Sequence, residues 1–412
     1  MTDNQEQKDP LPTGLQLTAL DPSFRENPHP ILRRLREEAP VYGDPTMGRY
    51  IVTKEALVDE LLRDRSMSVE QQNAKPSPLN DALVRRQQLQ EGRRPSMLFL
   101  DDPEHQRLRK LVNKAFTPRA VERMRPRTEE IAESLLDDIG DAETFDIIND
   151  FSGPLPTVVI AEMLGVDPAR RSDFKRWSDT TVLSFVPMPT EEQVQQIIEA
   201  RGNLDAVFQE EITKRRQEPR EDLIGGMVAA EDAGDQLSDD EIVTMCGLLL
   251  IAGNVTTTDL IGNGVYTLLQ HPEQLDLLRR EPGRIGQAVE EMLRFDGPVT
   301  NTGRIAMRDM EVGGCPIEKG DSTMLSLAAA NRDPEFIDRP NEFDITREEI
   351  EHHAFGGGVH YCLGAQLARM EAQVGINALL RRFPNLQLAA EKPVRRSIPV
   401  FRGFERLPVK AR

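Results

Sequence analysis

The decisive stretch of this chain is Phe355-Gly-Gly-Gly-Val-His-Tyr-Cys-Leu-Gly364. Three consecutive glycines permit positive φ angles and let the main chain lie close to a flat group. Cys362 stands just before a helical pattern, where the helix dipole and unpaired amides should lower the thiol pKa and favour a thiolate metal ligand. The chain has three cysteines, too few and too scattered for a zinc or iron–sulfur set: Cys246, Cys315 and Cys362. One thiolate beside a glycine platform fits an axial ligand to a planar iron macrocycle.

A lone cysteine is most often a small buried apolar residue, but the spacing of its neighbours here is long and specific. The stretch resembles the heme-binding loop of the cytochromes P450, Phe-x-x-Gly-x-His-x-Cys-x-Gly. Every position of that pattern is filled, by Phe355, Gly358, His360, Cys362 and Gly364. The resemblance implies that Cys362 ligates heme iron, that Phe355 packs near this ligand, and that His360 reaches a heme propionate. Gly358 and Gly364 then belong to the cofactor-binding loop.

The resemblance also implies a mainly α-helical fold with a minor β part and a long central helix over the heme. A chain of 412 residues exceeds the length at which single cores usually divide. The motifs described here run from His105 to Gly364 and all address one cofactor. We therefore expect a flexible N-terminal tail over residues 1–20 and a single domain over residues 21–412.

Composition limits the possible partners and location of the protein. The net charge of −18 argues against nucleic acid and anionic membranes as partners. The first twenty residues are polar and contain no apolar targeting or spanning segment. Three unpatterned cysteines suit a reducing compartment. We expect a cytoplasmic, monomeric protein.

A second motif lies in Asp101-Asp102-Pro103-Glu104-His105, where aspartate, proline and an acidic residue predict the start of a helix. His105 and Arg109 are four residues apart and so share one face of that helix. Two cationic donors on one face suit a pair of carboxylates, although a solvated charged face is the simpler alternative. The resemblance assigns His105 and Arg109 to the heme propionates.

The longest helical pattern begins with Ser238 as N-cap and Glu241 as its capping-box partner, and it runs to Gln270. Residues 242–252 are apolar nearly all round, which predicts burial on every side. Small and hydroxylated residues then occupy 252–258, and in mid-helix these loosen backbone hydrogen bonding and leave room for a ligand. An ordinary packing notch would account for the same residues.

In the cytochromes P450 this helix crosses the oxygen-binding face of the heme with the pattern Ala-Gly-x-acid-Thr. Ala252, Gly253 and Thr256 match it, whereas Val255 stands where the acid is expected. Valine can neither donate a proton nor bind water. We hypothesise that proton delivery uses Thr256 with ordered water, Asn254 or a substrate group, which makes Thr256, Gly253 and Asn254 the candidate catalytic residues.

Further residues are assigned by the same resemblance. Glu291 and Arg294 match a structural Glu-x-x-Arg pair, and Glu342 stands where a third, basic partner is usual. Arg304 is assigned to a heme propionate. The candidate substrate pocket contains apolar and small residues from six parts of the chain: Met97, Leu98, Leu249, Ala252, Val299, Thr302 and Phe401.

The function implied is that of a heme-thiolate monooxygenase that inserts one atom of O2 into a small apolar substrate. The sequence contains no flavin, nicotinamide or ferredoxin motif, so electrons should come from a separate ferredoxin and its reductase. We expect this ferredoxin to dock on the cysteine side, near Arg107, Lys110, Lys114 and Arg369. Two other functions remain open, a peroxide-driven heme-thiolate oxygenase and a heme-based binding or sensor protein without turnover.

Overall fold

Helices form the larger part of the fold, and the computed structural model describes residues 9–81, 83, 94–167, 170–185, 190–232 and 234–411. The first ten helices are α1 (Pro22–Glu26), α2 (His29–Glu38), α3 (Glu55–Arg63), α4 (Glu104–Ala115), α5 (Pro118–Arg123), α6 (Arg125–Ile139), α7 (Pro154–Leu164), α8 (Arg171–Val182), α9 (Glu191–Gln217) and α10 (Leu223–Ala229). They are followed by α11 (Asp239–Gln270), α12 (Pro272–Arg280), α13 (Ile285–Asp296), α14 (Leu327–Ala330) and α15 (Ala365–Arg382). The predicted mainly helical fold is confirmed.

The minor β part consists of short strands. They are β1 (Val41–Asp44), β2 (Arg49–Val52), β3 (Met67–Ser68), β4 (Thr144–Asp146), β5 (Glu231–Asp232), β6 (Asp235–Gln236), β7 (Thr302–Ala306), β8 (Met310–Val312), β9 (Cys315–Ile317), β10 (Ser322–Leu325), β11 (Gln387–Leu388), β12 (Val394–Arg395), β13 (Phe404–Arg406) and β14 (Pro408–Lys410). The largest sheet has the order β1-β2-β10-β7-β3, in which only β10 and β2 are parallel neighbours. A second sheet has the order β11-β14-β4, and β12 pairs with β13 as a hairpin.

The central helix α11 begins and ends where its sequence signals predict. Ser238 Oγ accepts a hydrogen bond from Glu241 N at 3.3 Å, and Glu241 Oε2 accepts one from Ser238 N at 2.8 Å. The prediction of burial on every side is wrong, because Ala252 is exposed and Leu248 is half-buried. An apolar helix that is open at its middle borders a cleft. Within the described ranges it is the one helix long and apolar enough to cross a membrane, and 56% of its most apolar window is buried in the protein.

Several helices pack around α11 and fix its place in the fold, chiefly α7, α9, α13 and α15. The contact with α15 matters most for the site, because Cys362 lies three residues before α15 begins. The helix that carries Ala252 and Thr256 is therefore packed directly against the helix that follows the cysteine.

The expected N-terminal tail is shorter than residues 1–20. Residues 1–8 lie outside the described residues, but Gly14–Leu17 forms a short 3-10 helix. Leu17 is buried and packs with Phe24 and Leu32. The amide of Gly14 also donates to the carboxylate of Asp44. These contacts hold the segment from Gly14 onward against the rest of the domain, whereas a tail over residues 1–20 was expected.

Candidate functional site

The cysteine loop, residues 355–364, uses two of its glycines at positive φ. Gly356 has φ +68° and Gly358 has φ +63°. A Cβ on Gly358 would also overlap the backbone oxygen of Leu62. Cys362 N donates to Phe355 O at 3.0 Å and closes the loop. The loop therefore needs glycine at 358 for two separate reasons, its backbone angle and its close approach to α3.

The Cys362 residue is accessible to water, yet its thiol is surrounded by protein. Burial raises the pKa of this thiol, and the Gly364 amide, Arg109 and Arg369 act in the opposite direction without overcoming it. The expectation of a lowered pKa is therefore wrong for the protein alone, because removal of water outweighs the helix terminus. A side chain that is both accessible and enclosed faces an internal cleft.

Four basic side chains gather beside Cys362. The rings of His105 and His360 lie 4.2 Å apart, centroid to centroid, and Arg109 Nη2 donates to the backbone oxygen of Tyr361 at 2.8 Å. Burial lowers the pKa of His360 to about 3, with further lowering by His105, Arg304 and Arg109. The structure therefore brings together the residues that were assigned to the propionates from three separate parts of the sequence.

The two arginines of this group, Arg109 and Arg304, have no acidic partner among the described residues, whereas His105 lies near Asp102. Burial lowers the pKa of Arg304 to about 10, and its guanidinium donates only to Thr302 Oγ1 at 3.2 Å and Gly303 O at 2.8 Å. No carboxylate of the described residues forms an ion pair with Arg304 or Arg109. His105 is buried, and its Nδ1, 3.5 Å from Asp102, makes no hydrogen bond. Buried cations without counter-charges suit a ligand that brings its own carboxylates.

Open space lies against the backbone on both sides of this group. A Cβ added at Gly253 on α11, or at Gly356 or Gly364 in the cysteine loop, would meet no heavy atom within 4 Å. Ala252 is exposed on the same helix. Together with the accessible thiol and the unpaired bases, this space fits heme, with Cys362 able to ligate the iron.

The candidate catalytic residues of α11 fall on two different faces. Thr256 Oγ1 donates to Ala252 O at 2.6 Å, so it shares the open face with Ala252. Asn254 is buried, and its amide donates to Ser178 Oγ at 3.0 Å on α8. Two residues along a helix turn by about 200°, so Asn254 points away from the cleft. Asn254 is therefore misplaced for the assigned role, whereas Thr256 and Gly253 border the cleft.

Val255 belongs to an apolar cluster that we call the valine wall: Val182, Val255, Ile398 and Phe401, with Val299 and Val400 packed against them. Val299 and Phe401 form an antiparallel bridge. Two residues of the candidate substrate pocket thus meet in one cluster with Val255, although they are about a hundred positions apart in sequence.

The remaining pocket residues are dispersed. Met97 is buried and lines a cavity of about 280 Å³, which Leu100, Leu108 and Met245 also line. Leu98 is 47% exposed, and Leu249 lies in the main core. Thr302 is half-buried at the start of β7, beside Arg304. The sequence does not distinguish Met97 from its neighbour Leu98, because both are apolar. Which of the two side chains points inward depends on the direction of the backbone at that point.

Phe355 packs against Arg369, and the Glu291–Arg294 pair binds the coil segment before the cysteine loop, at 331–347. The guanidinium of Arg369 lies 4.4 Å from the Phe355 ring centroid and is paired with Glu290. Arg294 and Glu291 form a fully buried bidentate pair at 2.7 and 2.8 Å. The missing third partner is Arg347, whose Nε lies 3.3 Å from Glu291. Glu342 contributes its backbone oxygen, which accepts from Arg294 and Arg347, while its carboxylate pairs with Arg339 instead.

Two buried acids next to the site were not singled out from sequence. Burial raises the pKa of Asp259, on α11, to about 6 although Arg396 is bound to it. Burial raises the pKa of Glu371, on α15, to about 8, opposed by a hydrogen bond with Thr257. The only signal for these two residues in the sequence is an acid inside a helix that is predicted to be buried. This signal is weak when the neighbouring side chains are unknown.

Comparison with known proteins agrees with this site. The family model described as cytochrome P450 matches residues 8–399. Cytochrome P450 107B1 of Saccharopolyspora erythraea is 41% identical over 407 residues, which cover 96% of this chain and 97% of that protein. Vitamin D(3) 25-hydroxylase of Pseudonocardia autotrophica is 38% identical over 393 residues, 94% of each.

Another relative is 6-deoxyerythronolide B hydroxylase of Saccharopolyspora erythraea, 42% identical over 313 residues that cover 75% of this chain and 76% of that protein. Among solved structures, the bacillaene polyketide synthase cytochrome P450 PksS of Bacillus subtilis superimposes with a TM-score of 0.86 at 35% identity. That match covers 95% of this chain and 99% of the other.

The glycine positions of the cysteine loop make a testable pair. Gly358→Ala should lower the free energy of unfolding by about 3 kcal/mol, because it combines a positive φ with a clash against the Leu62 backbone. Gly364→Ala is the matched control. Its φ is −83° and its Cβ meets no protein atom, so folding should be unchanged while heme content falls. Denaturant unfolding measures the free energy of unfolding of each variant, and the heme content per chain measures its heme binding. Equal losses of unfolding free energy would contradict this account.

Proposed function

This chain belongs to the cytochrome P450 family and is a heme-dependent monooxygenase, and we propose that it hydroxylates a small apolar molecule with electrons from a separate ferredoxin and its reductase. The observation that carries the proposal is the exposed residue Cys362 beside Arg109 and Arg304, two arginines that form no ion pair with a described carboxylate. Two relatives bear the names of hydroxylases, which supports this reaction type.

Heme would be held by residues of three segments. Cys362 would ligate the iron, and four bases would neutralise the two propionates: His105, Arg109, Arg304 and His360. Gly356 and Gly364 would leave the space beside the ring free of side chains, whereas glycine at 358 permits the close approach to Leu62. When bound, heme supplies the activation of O2 for insertion of one oxygen atom into a C–H bond. The protein contributes position, exclusion of water and control of protons.

Proton supply depends on few groups on the open face of α11. Thr256 holds a hydroxyl there, and Val255 beside it can neither donate a proton nor bind water. Since Asn254 is bonded to Ser178, we infer that Thr256 acts with ordered water or with a polar group of the substrate. Proton delivery is then slower or less tightly coupled to product than with an acid at position 255.

The substrate would lie against the valine wall. Branched aliphatic side chains and one phenylalanine give it no hydrogen-bonding atoms, so it favours an apolar C–H surface and excludes water from the reacting position. We propose an apolar substrate because Val299 and Phe401, two residues of the candidate substrate pocket, belong to this wall. We propose a cytoplasmic, monomeric enzyme, consistent with the acidic composition of the chain.

Electron delivery requires a docking surface near the cysteine loop. Val359 and Tyr361 are 39% and 41% exposed there, and Lys110 is exposed on α4. Arg107 does not fit the expected surface, because it pairs with Glu104 and Glu241 and lies about 160° around α4 from Arg109. We propose docking over the loop at Val359, Tyr361 and Lys110, without Arg107.

Replacing the thiolate tests the proposed function most directly. Cys362→Ser should abolish the reduced-carbonyl spectrum that marks thiolate ligation, because a hydroxyl is a far weaker ligand. An unchanged spectrum would overturn the proposal. Product analysis of the unaltered enzyme with ferredoxin, reductase and NAD(P)H, and separately with peroxide, then distinguishes a monooxygenase from a peroxide-driven oxygenase, and absence of product in both indicates a binding protein.

Restoring the acid tests the proton hypothesis. Val255→Glu should increase product formed per NAD(P)H consumed, by about twofold or more, because a carboxyl beside Thr256 can relay protons. Val255→Gln is the matched control, since it has the same shape without an acid and should give no increase. Equal coupling in the unaltered enzyme and the glutamate variant would refute the hypothesis.

Charge reversal tests the docking surface. Lys110→Glu should slow reduction of the heme by the ferredoxin about tenfold at low ionic strength, with the difference shrinking as salt is added. Lys319→Glu, in the turn between β9 and β10, is the control and should not change the rate. Equal rates for Lys110→Glu and the unaltered protein at low salt would place the docking surface elsewhere.

A further inference from the structure

The hairpin β12–β13 carries part of the valine wall on its connecting loop. Arg396 N donates to Gly403 O at 3.0 Å and closes the base of this loop, and Phe401 N donates to Ile398 O at 3.2 Å near its tip. Ile398 and Phe401 then project into the wall opposite Val255. The depth of these two side chains depends on how the loop is held against α11.

One buried carboxylate of α11 touches both limbs of that loop. Arg396 Nη2 donates to Asp259 Oδ1 at 3.0 Å. On the opposite limb, a Cβ at Gly403 would overlap the Asp259 carboxylate, so only glycine allows this approach. Asp259 has no exposed surface, and its Oδ2 makes no hydrogen bond to the described residues.

A second anchor holds the base of the hairpin on both α13 and α11. Arg402 is paired with Asp296, at the end of α13, and its backbone oxygen accepts from Asn263 Nδ2 at 2.8 Å. This anchor fixes the hairpin to the fold. The Asp259–Arg396 pair differs in its distance from the wall, because Asp259 is one turn of α11 from Val255, whereas Asn263 is two turns from it.

We infer that the Asp259–Arg396 pair is a positioning device that sets the depth of Ile398 and Phe401 in the valine wall and thereby the size of ligand that the wall admits. The inference rests on the proposed function, in which this wall receives the substrate. A buried ion pair is seldom favourable for stability alone, since desolvation offsets the attraction. Burial in fact raises the pKa of Asp259 to about 6, so the pair is held at a cost.

The alternative role for Asp259 is a proton source that replaces the acid missing at 255. Its geometry argues against this, because Gly403 and Arg396 enclose the carboxylate and direct it to the hairpin. The two roles predict different measurements. A positioning residue alters which ligands fit, whereas a proton source alters coupling of NAD(P)H to product at unchanged ligand affinity.

The test compares a bulky and a small ligand of the same iron in the holoenzyme. Imidazole and clotrimazole both bind through an azole nitrogen, but only clotrimazole is large enough to reach the wall. Asp259→Asn and Arg396→Gln should each weaken clotrimazole binding about tenfold, read from the azole difference spectrum, and change imidazole binding less than about twofold. Arg396→Lys keeps the cation and should lie closer to the unaltered protein.

Controls separate this effect from simple loss of stability. Glu211→Gln breaks another buried carboxylate–arginine pair, with Arg215 on α9, and should leave the ratio of the two affinities unchanged. Because either single change already breaks the pair, Asp259→Asn combined with Arg396→Gln should weaken clotrimazole no more than either alone. If Asp259→Asn does not fold, the Arg396 variants still test the inference.

Three results would overturn the inference: parallel changes for both azoles, the same selective loss in Glu211→Gln, or reduced coupling with unchanged clotrimazole affinity. Failure of the proposed function gives a different result. In that case the unaltered protein itself shows no thiolate reduced-carbonyl spectrum, whatever the variants do.

Discussion

Arginines beside Cys362 that form no ion pair with a described carboxylate are the constraint on which this structure depends. Removing a charged group from water is costly, and burial accordingly lowers the pKa of Arg304 to about 10 and that of His360 to about 3, so His360 is neutral at pH 7. Such an arrangement is tolerable when a ligand supplies the negative charge. In the proposed function the two propionates of heme would do so, at the place where residues from α4, β7 and the cysteine loop converge.

Local signals predicted the frame of this site from sequence. The capping box at Ser238, the helix start after Pro103 and the glycine requirement at 358 each depend on residues within a few positions, and all appear in the structure. The errors concern properties set by distant neighbours. Asn254 turns to α8, Arg347 completes the buried pair from beyond Glu342, and the protein around Cys362 raises rather than lowers its pKa. No local pattern determines these partners.

The buried acids show how far distant partners decide the chemistry of a residue. Burial acts to raise the pKa in all three cases, Asp296, Asp259 and Glu371. Arg402, His29 and Arg395 nevertheless hold the pKa of Asp296 well below its usual value. Beside Arg396, the pKa of Asp259 is about 6. Glu371 has only a hydroxyl beside it, and its pKa is about 8. Similar burial thus gives an anion, an intermediate case and a neutral acid at pH 7.

The same reasoning accounts for the valine at position 255. This position is 3% exposed and surrounded by aliphatic side chains, so an ionised carboxylate there would be buried without a cation at contact distance. One helical turn on, the carboxylate of Asp259 can be reached by Arg396 from the hairpin. The apolar wall and the placement of charge are therefore linked. An acid at 255 would therefore have a raised pKa, and in its protonated form it could still donate a proton beside Thr256.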